Sequence, residues 1–172
     1  MKKFVSLVIL AASLAASARA AVIIGGDVGY LVDAEEAYYS ARLGFPVATK
    51  NTLSHQVELE VGYTEQKDSG AKGDFVPLTL NYRLESTPAN KLGFYFGVGA
   101  GIAFTDVSGF GASDNGNSFA AQAFTGLTYH ASQTVSLHAG VKYIWIDNVK
   151  LFGTKIEVGD DVALSAGISF KF

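Results

Sequence analysis

Cysteine is absent from all 172 residues, which removes disulfides, thiolate metal sites and a cysteine nucleophile in one step. Packing and hydrogen bonds must therefore hold the fold together. Basic residues are also scarce, with 13 Lys and Arg against 16 Asp and Glu. Nucleic acid is not an expected partner for such a chain. Only three prolines are present, and no Pro-rich or Ser-rich stretch divides the sequence, so one domain is expected after the leader. The one long apolar run, Phe4 to Ala16, falls short of the ~20 residues a spanning helix needs.

That run has a different use. Lys2 and Lys3 precede it and Ala18-Arg19-Ala20 follows it, the pattern of a cleavable export signal ending at Ala20. No cysteine follows that site to be acylated, so a lipid-anchored form is excluded. Removing residues 1–20 leaves 10 bases against 16 acids, a formal charge of −6 over residues 21–172.

What fills those residues is alternation. Val162, Leu164, Ala166, Ile168, Phe170 and Phe172 interleave with Ala163, Ser165, Gly167, Ser169 and Lys171, giving one apolar face and one small or polar face. Segment 135–145 repeats this with Leu137, Val141, Tyr143 and Trp145 against Ser136, His138, Gly140 and Lys142. Leu92 to Thr105 repeats it again with Phe94, Phe96, Val98 and Ile102 against Gly93, Tyr95, Gly97, Gly99 and Gly101. Weaker copies at 22–32, 38–48, 54–65, 74–86 and 117–130 bring the strand count to eight. An even number of antiparallel strands suits a closed up-and-down barrel, an all-β fold. Short connections at Thr49–Leu53, Thr87–Asn90 and Ala131–Gln133 alternate with long polar ones at Glu65–Asp74, Asp106–Gly116 and Asp147–Asp160; Asp33–Ala37 is the brief exception. The Gly-rich run at 109–118 is expected to be a flexible loop.

A soluble barrel packs its apolar face inside, whereas a membrane barrel turns it outward to lipid. The polar face carries Asp27, Arg42, Glu58, Glu60, Arg83, Glu85, Gln122, His138, Lys142 and Lys171, a set of four acids and four bases that can neutralise itself. Alternation alone permits either orientation. The export signal, the aromatic residues near strand ends (Tyr30, Tyr63, Tyr82, Tyr129, Tyr143, Trp145) and the terminal Phe172 favour the membrane form. In it Asp27, Arg42, Glu58, Glu60, Arg83, Glu85 and Lys142 form a structural charge network in the lumen. His138 and Lys142, roughly 13 Å apart along a strand, fill the lumen beside Glu and Gln neighbours. The last strand must pair with the first, and Phe172 is expected to add one rim side chain but no buried ladder.

FVPLTLNYRLES (75–86), KLGFYFGVGAGIAF (91–104) and ALSAGISFKF (163–172) resemble the shared pattern of the OmpA-like outer-membrane β-barrel superfamily. The resemblance implies an eight-stranded transmembrane β-barrel in the outer membrane of a Gram-negative bacterium. It further implies contact with outer-membrane lipid, with the barrel-assembly machinery through Phe172 as an assembly signal, and with external partners through the loops. Members with a cell-wall-binding domain continue past the eighth strand, whereas this sequence ends there, so a direct peptidoglycan tether is not expected.

The chemistry-bearing candidates are few. His130-Ala131-Ser132 resembles the His base and Ser nucleophile of outer-membrane lipid A deacylases, with Gln133 where that family has Asn. It falls at a turn on the periplasmic side, away from the leaflet that holds lipid A, and reads as a strand-end His and a turn Ser. Asp147, Glu157, Asp160 and Asp161 form an acidic loop without the spacing of a calcium site and read as solvated. No cofactor, metal or catalytic role is expected. The leading function is structural or interactive, with a lumen filled by side chains. The alternatives are a narrow pore or hydrophobic conduit, for which inward Gly97, Gly99 and Gly101 leave space, and a lipid A-modifying enzyme.

Overall fold

In the computed structural model, residues 21–68, 71–86, 91–109, 112–151, 154–156 and 159–172 are described. The expected signal, residues 1–20, and the turn Thr87–Asn90 lie outside them. Ten strands follow in order: β1 (Ile23–Leu31), β2 (Glu36–Lys50), β3 (Leu53–Asp68), β4 (Ala71–Ser86), β5 (Leu92–Gly109), β6 (Ala112–His130), β7 (Val135–Ile146), β8 (Val149–Leu151), β9 (Thr154–Ile156) and β10 (Gly159–Lys171). Eight of them, β1 to β7 and β10, close into a barrel of antiparallel neighbours, while β8 and β9 pair with each other.

The period-two pattern positions these strands because one register slip would turn every charge toward the apolar side. Closure runs through β1 and β10, from Ile23 opposite Lys171 to Leu31 opposite Ala163. Beyond the strand ends, Phe172 N donates to Val22 O at 2.8 Å and Val22 N to Phe172 O at 3.1 Å. Phe172 thus makes two ladder-like main-chain bonds at the seam, beyond the rim side chain expected of it. Its main chain completes the pairing whatever its side chain does.

The long loops expected at Glu65–Asp74 and Asp106–Gly116 are largely strand. β3 and β4 stay paired out to Asp68 opposite Ala71, and β5 and β6 out to Gly109 opposite Ala112. A ladder past the apolar zone needs no greasy face, since its backbone bonds are satisfied across the ribbon while both faces meet water. Hydropathy alternation fades there although pairing continues. Residues 112–118 accordingly belong to β6 and not to a flexible loop.

Candidate functional site: the barrel lumen

Every residue of the expected charge network points inward and is buried, from Glu58 at 1% exposed to Glu85 at 9%. Lys171 instead sits exposed at the rim beside the termini. The structure brings the network together as three groups. In the first, Arg42 Nη1 donates to Asp27 Oδ2 at 2.5 Å, and His138 Nε2 lies 2.5 Å from Asp27 Oδ1 and 2.9 Å from Arg42 Nη2. In the second, Lys142 pairs with Glu60, whose Oε2 accepts from Asn81 Nδ2 at 3.1 Å and Gln122 Nε2 at 3.2 Å. In the third, Arg83 pairs with Glu85 at 2.9 Å, and Glu58 Oε1 lies between the first and third groups, 3.6 Å from Arg42 Nε and 3.9 Å from Arg83 Nε.

Such pairing is what a narrow interior requires, because an isolated charge there loses its hydration with no return. His138 finds Asp27 and Arg42 rather than the Glu and Gln neighbours expected for it. That partnership crosses from β7 to β1 and β2, and strand order alone does not disclose side-chain reach.

Above this plug, toward the turns opposite the termini, the interior is largely apolar, with Thr64 and Thr105 as buried polar exceptions. Leu31, Ala103, Ala120, Ile144, Ile146 and Ala163 pack around Tyr38. The lumen therefore has three zones: a vestibule of about 600 Å³ at the terminal end, a charged midsection with a void of only about 10 Å³, and a cavity of about 180 Å³ at the other end. The outer wall has the opposite character. Val28, Leu80, Ile102 and Leu164 face out from mid-strand, Phe94 and Leu127 face out nearer the terminal end, and all are exposed. Tyr30, Tyr63 and Tyr143 stand outward toward one end, and Tyr82 and Tyr129 toward the other. An apolar band between two aromatic girdles, around a charged interior, is the polarity of a membrane barrel.

The same fold occurs among solved structures. The chain superposes on Neisserial surface protein A with a TM-score of 0.69 at 17% identity, covering 88% of this chain and 96% of that one. The N-terminal β-barrel domain of Pseudomonas aeruginosa OprF aligns at 0.55 and 20% identity, over 88% and 97%. Ail, the attachment invasion locus protein of Yersinia pestis, aligns at 0.56 and 15% identity, over 89% and 97%. The fold is that of the small eight-stranded outer-membrane β-barrels. No family model and no curated protein matches the sequence.

Within this outer-membrane-type barrel, the glycines of β5 leave no channel. A Cβ on Gly97 would run into the Phe124 ring, and one on Gly99 into the Asn81 carboxamide oxygen. The room these glycines make is taken by side chains from β4 and β6, contrary to the space expected there. Tyr95, inward on the same strand, carries the Arg83 guanidinium 3.9 Å over its ring. Alternation puts Tyr95 inward with Gly97 and Gly99, and Tyr38 and Phe124 inward with Arg42 and Gln122, but it does not mark these three as the rings that fill the lumen, because aromatic side chains occupy both faces. Their one sequence signal is that each faces small residues on neighbouring strands.

The remaining candidates separate. His130 Nδ1 lies 3.0 Å from Ser136 Oγ, and its Nε2 lies 3.2 Å from Ser86 O. Ser132 Oγ accepts from Thr134 N at 3.2 Å and Val135 N at 3.0 Å, as a turn serine does. His130 and Ser132 thus engage different partners. In the acidic loop, Asp161 accepts from Asp33 N at 3.0 Å and Ala34 N at 2.9 Å, clamping the β1–β2 turn. That carboxylate is used structurally rather than solvated as expected. Glu157 lies outside the described residues.

Proposed function

We propose that this protein is exported by residues 1–20, loses them, and resides in the outer membrane of a Gram-negative bacterium as a plugged anchor that works by contact. Its external partners would meet the β3–β4 and β5–β6 ribbons. β6 runs eight residues beyond the end of β7, from Phe119 back to Ala112, which is about 27 Å of strand length. The observation carrying this reading is the polarity of the wall combined with the filled midsection: lipid suits the outside, and the void of about 10 Å³ at mid-height leaves no path for a solute. Interaction through projecting ribbons is the use that such a closed scaffold leaves.

The test joins fractionation to electrophysiology. Cells expressing the full chain should yield the protein in the outer-membrane fraction, and the purified barrel in planar bilayers should show no discrete conductance steps. Recovery as a soluble periplasmic protein would overturn the membrane placement, and a stable open channel would overturn the plugged anchor.

A further inference from the structure

The vestibule at the terminal end has a volume of about 600 Å³, and its floor holds a buried carboxylate without hydrogen-bond donors among the described residues. Glu58 is 1% exposed, lines the vestibule, and neither carboxylate oxygen has a hydrogen-bond partner among the described residues. Arg42 Nε beside it is likewise without one. The charge of Glu58 is offset by two guanidinium groups at 3.6 and 3.9 Å, yet both stand beyond hydrogen-bond reach. A buried carboxylate in that state lacks donors, not positive charge. An ammonium or metal ion there would crowd two arginines, whereas neutral O–H groups would not.

The wall above supplies matching chemistry. Ser54, Gln56, Ser136 and Ser169 line it with hydroxyl and amide groups. At the mouth, Lys91 and Lys171 are exposed and have no acidic partner among the described residues. A volume of about 600 Å³ is within the range of small-molecule sites. The geometry points to a binding site for a small acidic sugar, its hydroxyls reaching Glu58 and the serine wall and its carboxylate or phosphate meeting Lys91 and Lys171.

Calorimetry on the barrel purified from membranes in detergent tests the assignment with glucuronate, glucose 6-phosphate, glucose and acetate as probes. Either acidic sugar should bind at least tenfold tighter than glucose or acetate. The double variant Lys91→Gln/Lys171→Gln, altered only at exposed positions, should lose that advantage while glucose binding stays unchanged. Glu58→Gln should weaken the acidic sugar and glucose by a similar factor, since it halves the acceptors offered to hydroxyls; the rim variant carries the test if Glu58→Gln does not fold. Acetate binding as tightly as glucuronate, glucose binding as tightly as both acidic sugars, an unaffected double variant, or no heat from any probe would each overturn the site.

Discussion

Replacing Lys142 with Met removes one partner of a buried ion pair and leaves the other in place. Lys142 is 6% exposed and Glu60 2%, so solvent does little to relieve the stranded carboxylate. Breaking a buried pair from one side costs about 3 to 5 kcal/mol. Glu60 retains Asn81 at 3.1 Å, Gln122 at 3.2 Å and Tyr38 Oη at 3.5 Å as neutral donors, which places the loss near the low end, about 3 kcal/mol. The Met side chain fills most of the Lys stem's volume between the Tyr38 and Phe124 rings, over which the ammonium sits at 5.3 and 5.7 Å. Little of the loss should then come from a cavity.

The single tryptophan, Trp145, faces outward beside Phe119 and reports the transfer of the wall from lipid or detergent to water by fluorescence. With a urea slope of about 2 kcal/mol per molar, the midpoint should fall by about 1.5 M. The double variant Lys142→Met/Glu60→Gln removes the stranded charge and should recover to within about 1 kcal/mol of the parent. A single variant indistinguishable from the parent, or a double variant as weak as the single, would refute the view that the midsection is dry and charge-paired.

Two further expectations follow from particular contacts. Phe172→Ala keeps the main-chain bonds to Val22 and should leave refolded stability almost unchanged, whereas deletion of Phe172 removes both bonds and should cost about 2 kcal/mol; outer-membrane yield should fall strongly for each. Yield of Phe172→Ala equal to the parent would end the sorting role. Gly97→Val should destabilise by about 1 to 3 kcal/mol through overpacking against Phe124, with Phe124→Leu restoring part of the loss in the same unfolding assay; a neutral Gly97→Val would mean that the midsection is not filled there.

Alternation decided much of this protein before any tertiary contact is considered. A repeat of two, eight times over, assigns Asp27, Arg42, Glu58, Glu60, Arg83, Glu85 and Lys142 to one face and Val28, Leu80, Phe94 and Leu164 to the other, because successive side chains on a strand must oppose each other. The pairing of the last strand with the first follows from the cost of open edges. Three things were left to the tertiary structure. The ribbons beyond the apolar zone are legible only through backbone pairing, since both of their faces meet water and neither carries a hydropathy signal. The partnerships of His138 with Asp27 and of Lys142 with Glu60 cross 111 and 82 residues of sequence, and depend on barrel curvature that brings non-adjacent strands within side-chain reach. Whether the glycines of β5 make a channel or a socket was decided by Phe124 and Asn81, because the space beside a residue without a side chain belongs to whichever neighbour can reach into it.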